Sequence, residues 1–261
     1  MNGGIGMELL TVKNLKKIYT TRFGGSQVLA LSNVNFSIEE GEFVAIMGES
    51  GAGKTTLLNL IATLDKPTSG EILLRGKSLL SMDESQLASF RREHLGFVFQ
   101  DFNLLDTFSL KDNILLPLVL SDVKYKEMEK RLMPIAERLG ISKLLNKFPY
   151  EVSGGEKQRA AVARAIITNP ELLLADEPTG ALDSKSSNEL LDIFSKLNDS
   201  GQTILMVTHS VIAASHATRV LFIKDGEIFH QIYRGNLSNR ALFEKISNTL
   251  TLLASGGKSY E

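Results

Sequence analysis

The stretch FVAIMGESGAGKTTLLNLIATL (residues 43–64) changes from a strand pattern to a helix pattern across a glycine-rich turn. FVAIM is a short run of apolar residues, which is typical of a strand buried on both faces. TTLLNLIATL has its apolar residues at helical spacing. The order strand, glycine loop, helix predicts a phosphate-binding loop whose anion lies at the start of the helix.

The loop itself, residues 48–55, matches the pattern G-x-x-x-x-G-K-[ST] at every position. Its glycines let successive N–H groups point at a phosphate, Lys54 is placed to reach the β- and γ-oxygens, and the Thr55 hydroxyl is placed to ligate Mg²⁺. A chance match occurs in roughly one chain of this length in a hundred. The predicted nucleotide-binding residues are Gly48, Glu49, Ser50, Gly51, Ala52, Gly53, Lys54, Thr55 and Thr56.

The rest of the chain predicts an α/β fold. Apolar strands at LLLAD (172–176) and TILMVTH (203–209) alternate with helices expected at 155–168 and 186–198, which favours a mostly parallel sheet covered on both faces. The first part of the chain is rich in strand patterns, and GFVFQ (96–100) is expected to be a further short strand. No internal repeat is found.

Between about 104 and 150 the pattern changes to surface helices, with Pro134 expected to interrupt them and Pro149 to end the region. NRALFEKISNTLTLL (239–253) predicts an amphipathic helix. Residues 1–6 are interpreted as a leader before a natural start at Met7, and ASGGKSYE (254–261) as a loose tail.

Composition limits the possible functions. The 261 residues include 29 basic and 30 acidic side chains, which argues against a protein that binds nucleic acid mainly by neutralising phosphates, although a local basic face stays possible. The absence of cysteine excludes disulfides and thiolate metal sites and fits a reducing, intracellular setting. The longest apolar run near the middle, ILLPLVL (114–120), is far shorter than the roughly 20 residues that cross a bilayer. Contact with a membrane is therefore expected through a partner.

Polar residues follow three of the predicted strands. LLLADEP ends in Asp176, which is expected to hold Mg²⁺ through water, and Glu177, which is expected to deprotonate the attacking water. The alternative is a pair of solvated turn acids. Gln100 and His209 end two other strands, where ligands bind in open α/β sheets, so we predict that both act in catalysis and that Gln100 also reaches the metal. For His209 the alternative is a satisfied histidine at the sheet edge.

A second phosphate grip is predicted at VSGGEKQR (152–159), where a serine and two glycines open a helix. This segment, GESGAGKT, Gln100, LLLADEP, ALD (181–183) and His209 occur in the order and spacing of an ABC transporter ATPase subunit. The chain resembles that family from Tyr19 to Gly226. The resemblance implies a P-loop ABC ATPase domain at 7–235, with an N-terminal antiparallel β subdomain and an inserted helical subdomain at roughly 101–165. A C-terminal helix and tail would occupy 236–261.

The resemblance also implies a head-to-tail homodimer in which each ATP lies between the phosphate loop of one copy and the signature of the other. The signature residues are Ser153, Gly154, Gly155 and Glu156, and the last of them departs from the glutamine of many relatives. Tyr19 would stack on adenine, with an ordinary core or exposed tyrosine as the alternative. Asp183 would lie at the dimer interface.

Longer segments indicate which group of ABC transporter ATPases the chain resembles. IATLDKPTSGEILLRGKSL and DEPTGALDSKSS resemble the ATPases of MacB- and lipoprotein-release-type permeases, and VTHSVIAASHATRVLFIKDGEI resembles Bce-type ATPases. This implies a peripheral position at the cytoplasmic face of the membrane, an FtsX/MacB-like integral-membrane permease, bacitracin-like antimicrobial-peptide export or detoxification, and an accompanying sensor histidine kinase. The alternative is a signalling complex that regulates cell-wall enzymes or lipoprotein release without exporting peptide.

The permease contact is expected after Gln100, at Phe102, Leu104 and Leu105, since exposed apolar side chains mark interaction sites. These side chains could instead fill the core of the helical subdomain. Rival classes are a P-loop kinase or GTPase, which needs no signature, and an ABC ATPase of DNA repair or translation. The single set of motifs and the short 100–152 segment oppose the latter.

Overall fold

A computed structural model of the protein describes residues 7–20 and 25–254. The leader expected at 1–6 and residues 255–261 of the expected tail lie outside the described residues. Within the described part, no helix is both long enough and apolar enough to span a membrane.

The core is a six-stranded sheet, and its strands are ordered β10 (Glu227–Tyr233), β9 (Arg219–Lys224), β3 (Phe43–Met47), β8 (Thr203–Thr208), β7 (Leu172–Asp176) and β6 (Leu95–Val98). Neighbouring strands are parallel except β9 and β10, which form an antiparallel pair. Because β3, β8 and β7 lie side by side and run the same way, their carboxyl ends meet at one edge of the sheet.

A second sheet is antiparallel, with the order β2 (Gln27–Glu39), β1 (Glu8–Thr20), β4 (Ser69–Leu74) and β5 (Lys77–Ser78). The predicted fold class is thus confirmed: an α/β P-loop fold with a mostly parallel core sheet, an N-terminal antiparallel sheet and added helices.

Eight α-helices complete the described fold: α1 (Lys54–Ile61), α2 (Glu84–His94), α3 (Leu110–Val119), α4 (Tyr125–Arg138), α5 (Gly154–Ile166), α6 (Ser184–Asp199), α7 (Val211–Ala214) and α8 (Asn239–Ala254). The helices predicted at 155–168 and 186–198 correspond to α5 and α6, and the helix predicted at 239–253 corresponds to α8. The strand predicted at 96–100 ends earlier, at Val98, so Gln100 lies in the following turn and not at a strand end.

Strand β3 separates two hydrophobic cores. Its alternate residues Phe43, Ala45 and Met47 pack with apolar residues of α3, α4, α5 and α6. Val44 and Ile46 pack on the opposite face with α1 and the antiparallel sheet. Successive side chains of a strand point to opposite faces, so a strand between two cores must be apolar at every position. This explains the uninterrupted run FVAIM.

The expectation that Pro134 interrupts its helix is wrong, because α4 continues through it to Arg138. A proline inside a helix removes one backbone hydrogen bond and crowds the preceding turn. The helix buries Met128, Leu132 and Ala136 along one side, and tertiary packing of such an apolar face supplies most helical stability. Burial of this face therefore outweighs the local cost of the proline.

Gly96 in β6 gives a stability test, because a Cβ at this position would lie 2.4 Å from the Ala165 carbonyl oxygen of α5. We expect Gly96→Ala to lower the free energy of unfolding by about 1–3 kcal/mol, since backbone must shift to relieve the overlap. Urea unfolding measures the change. Gly25→Ala is the control, because a Cβ there has no described neighbour within 4 Å. Equal stability of the Gly96 variant and the control would show that α5 does not press on β6 as described.

Candidate functional site

The phosphate loop connects the end of β3 to the start of α1, and packing explains two of its glycines. A Cβ on Gly48 would lie 2.4 Å from the Ile223 carbonyl oxygen, and one on Gly53 would lie 2.6 Å from the Ala30 carbonyl oxygen. Gly53 also has a φ of 98°, in the left-handed region that glycine adopts most readily. The loop is therefore held between β9 and β2 at positions where a side chain would not fit.

The Lys54 ammonium lies within this loop, 2.7 Å from the Gly48 carbonyl oxygen and 2.9 Å from the Glu49 carbonyl oxygen. The residue before α1 is Gly53, which supplies no side-chain cap to the first N–H groups of that helix. Uncapped N–H groups and the positive end of the helix favour an anion. The loop thus brings the Lys54 ammonium and the uncapped backbone N–H groups of α1 together, where both favour a phosphate group.

A cavity of about 590 Å³ opens on this loop. Its lining combines predicted residues from the phosphate loop with Glu177 and His209 from the ends of β7 and β8; the full lining is Val28, Leu29, Ala30, Ser50, Gly51, Gly53, Lys54, Thr55, Thr56, Glu177 and His209. Val28 and Leu29 of β2 were not found from the sequence, because a strand pattern does not show which exposed apolar side chains face a cavity.

Glu177 is held from three directions. Its Oε2 accepts a hydrogen bond from the Thr208 hydroxyl at 3.0 Å, its Oε1 lies 2.8 Å from Nδ1 of His209, and its backbone N–H donates to the Val207 carbonyl at 2.9 Å. Its φ of 44° is unusual for a residue with a Cβ. Such a conformation persists where the surroundings enforce it, which is common in functional sites. The positioning role of Thr208 was missed by sequence reasoning, although VTHS marked the region.

Two of the predicted metal ligands, Thr55 and Asp176, lie close together. The Thr55 hydroxyl is 3.4 Å from Oδ1 of Asp176. Burial, and then the neighbouring Glu177 carboxylate, raise the pKa of Asp176. A hydroxyl and a carboxylate fit Mg²⁺, which prefers oxygen ligands and commonly keeps water and substrate phosphates as its other ligands. Within residues 7–20 and 25–254, no cluster of three or more His, Cys, Asp or Glu residues could hold a metal ion.

Gln100 occupies a different position from the one expected. It is exposed in a turn, and its amide lies beside Gly180, where an added Cβ would be 2.9 Å from the Gln100 amide carbon. It is absent from the described lining of the nucleotide cavity. Its predicted contacts with metal and water remain predictions.

Tyr19 lies at the end of β1, where it is partly exposed. Its hydroxyl donates to Oδ2 of Asp65 at 2.8 Å, and the Lys17 ammonium lies 4.7 Å from the centre of its ring. Burial, followed by the hydrogen bond to Asp65, raises the pKa of Tyr19. Like Gln100, Tyr19 is absent from the described cavity lining, so stacking on adenine stays a prediction.

The signature and Asp183 both cap helices. Ser153 is the N-cap of α5, and Asp183 is the N-cap of α6, where its side chain accepts from the N–H groups of Lys185 and Ser186. Hydrogen bonds from Ser186 lower the pKa of Asp183. None of residues 153–156 lines the nucleotide cavity of its own chain, as far as the described residues show.

Gln158, in the first turns of α5, ties the signature helix to the sheet edge. Its buried side-chain amide donates to the Phe99 carbonyl at 2.9 Å and the Pro178 carbonyl at 2.6 Å. Phe99 follows β6 and Pro178 follows Glu177, so one side chain holds both connections. VSGGEKQR contained this residue, but nothing in the pattern showed that it points inward.

This arrangement defines a P-loop nucleotide-binding site at the carboxyl edge of a parallel sheet. The chain belongs to the ABC transporter family, because the sequence model of that family matches residues 31–180. It is therefore an ATP-binding ATPase subunit of the ABC transporter type.

Relatives and solved structures extend this finding. The chain is 52% identical to the uncharacterized ABC transporter ATP-binding protein YvcR of Bacillus subtilis strain 168 over 98% of each chain. It is 46% identical to the bacitracin export ATP-binding protein BceA of Halalkalibacterium halodurans, over 95% of this chain and 97% of BceA. The dimeric structure of MJ0796, a bacterial ABC transporter cassette, superimposes with a TM-score of 0.79 at 39% identity, covering 86% of this chain and 98% of that one. The predicted resemblance to Bce-type ATPases is confirmed, and macrolide export MacB proteins are similar too.

The raised pKa of Asp176 leads to a prediction for the protein without metal. An acid whose pKa is higher in the folded state costs stability as pH rises from its unfolded pKa through its folded pKa. In EDTA, we expect Asp176→Asn to match the wild-type melting temperature near pH 3.5 and to exceed it near pH 7. Mg²⁺ with ATP should stabilise the wild type and not the variant. A variant less stable than wild type at neutral pH in EDTA would contradict this account.

Proposed function

We propose that this chain is the Mg²⁺-dependent ATPase of a transporter that handles bacitracin-like antimicrobial peptides. Two copies close head to tail around two ATP molecules and drive an FtsX/MacB-like permease from the cytoplasmic face of the membrane. The proposal is supported above all by Glu177, held by Thr208 and His209 in the same cavity as Lys54 and Thr55. Similarity to a bacitracin export ATP-binding protein supports the peptide class, whereas the accompanying sensor histidine kinase stays a prediction.

Hydrolysis needs a water molecule aligned with the γ-phosphate and a base to take its proton. Glu177 accepts that proton, because both of its oxygens are fixed and its carboxylate faces the cavity. Lys54 binds the β- and γ-oxygens, and Thr55 and Asp176 hold Mg²⁺, directly or through water. When bound, the ion would neutralise phosphate charge. His209 orients Glu177 through the contact to Oε1.

A second copy completes the site. The signature opens α5 with an exposed Ser153 and lies outside its own nucleotide cavity, so a partner's nucleotide is its natural ligand. The N-terminal N–H groups of α5 favour the γ-phosphate of that nucleotide. Asp183, exposed at the start of α6, lies at the interface between copies. The similarity to a dimeric cassette structure supports this assembly.

Glu177→Gln tests the base. We expect the variant to bind Mg²⁺·ATP with unchanged affinity and to form ATP-dependent dimers, while its kcat falls by about 100-fold or more because the base is lost. Phosphate release and sedimentation velocity measure the two properties. Glu84→Gln, which neutralises an exposed carboxylate of α2, is the matched control and should keep wild-type kcat. A Glu177→Gln variant that hydrolyses ATP like wild type would overturn the assignment.

An apolar groove of about 310 Å³ is the surface we assign to the permease. Leu116, Pro117 and Leu120 of the α3 region line it together with side chains of β6 and its following loop. Three arginines also line it: Arg91, Arg92 and Arg164. Contiguous exposed apolar surface rimmed by polar groups is typical of a protein contact. The groove lies between the core sheet and the inserted helices, so a segment seated there would contact both parts.

The residues expected at the permease contact differ in how exposed their side chains are. Leu105 is 45% exposed, whereas Leu104 packs partly against the main core, so Leu105 is the more available of the two. Arg164 donates to the carbonyl oxygens of Phe102 at 2.9 Å and Asn103 at 2.6 Å. Because Arg164 also lines the groove, the segment after Gln100 is mechanically connected to whatever binds there.

Two adjacent exposed apolar residues test the docking surface. Leu120 is 60% exposed and lines the groove, while Val119 is 51% exposed and is not part of the described lining. We expect Leu120→Asp to reduce copurification of the permease from native membranes by about tenfold, because a desolvated carboxylate opposes docking. Val119→Asp should copurify normally. Both variants should keep the ATPase activity of the isolated chain. Loss of the permease from both variants, or from neither, would contradict the assignment of this groove.

A further inference from the structure

In the isolated chain, the Glu156 carboxylate is hydrogen-bonded to Ser153, the first residue of the signature. Its Oε2 accepts a hydrogen bond from the Ser153 backbone N–H at 2.8 Å and from the Ser153 hydroxyl at 2.9 Å. In return, the Glu156 N–H lies 3.3 Å from the Ser153 hydroxyl oxygen. Together these contacts form a capping box at the start of α5.

A serine hydroxyl has one proton to donate. In this chain that proton is directed to Glu156. The proposed function requires the same hydroxyl to donate to the γ-phosphate of the nucleotide on the partner copy. The two acceptors therefore compete for one donor, and both carry negative charge.

The carboxylate is held in its charged form. The Ser153 backbone N–H lowers the pKa of Glu156, and the Ser153 hydroxyl, Arg159 and Lys147 lower it further. Arg159 is also engaged elsewhere, 3.3 Å from a carboxylate oxygen of Glu189. Part of the Glu156 charge thus remains available to repel an approaching phosphate, and like charges close together are unfavourable even near the surface.

We propose that Glu156 is an internal competitor of the γ-phosphate, which holds the signature ready in the open subunit and opposes closure of the ATP dimer. This inference rests on the proposed function, since it assumes that the signature binds the partner's nucleotide. Closure requires the Ser153 hydroxyl to turn from Glu156 to phosphate. After hydrolysis, return of the hydroxyl to Glu156 favours reopening.

The Glu156→Gln variant removes the negative charge of this side chain and keeps nearly the same shape. Glutamine keeps an oxygen that accepts from the Ser153 N–H, so the capping box can persist, whereas the negative charge is lost. Glu151→Gln is a matched control, because Glu151 caps the preceding turn in the same way, accepting from the Phe148 N–H at 2.7 Å. It removes an equal charge two residues before Ser153 without touching the signature hydroxyl.

The measurement is sedimentation velocity of the full chain in the Glu177→Gln background, titrated with Mg²⁺·ATP. We expect Glu156→Gln to lower the ATP concentration at half-dimerisation by about two- to fivefold, as for removal of one exposed charge interaction. The difference should shrink near 1 M salt, where charges are screened within roughly 3 Å. Glu151→Gln should leave the midpoint unchanged, and melting curves should show that all three proteins are folded at the temperature of the titration.

An unchanged or raised midpoint for Glu156→Gln would overturn the competitor role, as would an equal effect of Glu151→Gln. These outcomes differ from failure of the proposed function. If the Glu177→Gln parent binds ATP but never dimerises, the signature does not serve a partner, and both proposals fall.

Discussion

The structure depends on the parallel pairing of β3, β8 and β7. These strands bring the phosphate loop, Glu177 and His209 to one sheet edge, although the loop lies more than a hundred positions before the other two residues in the chain. Burial on both faces makes the register strict, since a shift by one residue would exchange the two cores. The nucleotide cavity is therefore positioned by strands that are buried on both faces of the sheet.

Beside this sheet edge, two side chains of α5, the buried Gln158 and the half-buried Arg164, connect separate parts of the fold. Gln158 joins the signature helix to the loops after β6 and β7, and Arg164 joins the same helix to the backbone at Phe102. Both are carried by α5, which begins with the signature. In the proposed assembly, this helix would contact the partner's nucleotide at its start and the proposed permease groove near its end, which would give a direct physical route between ATP and the membrane partner.

Sequence reasoning identified candidate site residues where the chemistry depends on neighbouring residues. The phosphate loop and the Asp176–Glu177 pair were found because backbone curvature and strand ends are local properties. Reasoning failed at Pro134, where local propensity predicted a break and burial of Met128, Leu132 and Ala136 preserved the helix.

The sequence by itself determined the fold class, the family and the identity of the main nucleotide-site candidates, because short patterns of glycine, lysine and acid suffice for them. Only the tertiary structure decided which distant groups meet. Thr208 reaches Glu177, Val28 and Leu29 enter the cavity, and Gln100 turns toward Gly180. These contacts follow from strand order and side-chain direction in the packed core, which no local pattern contains.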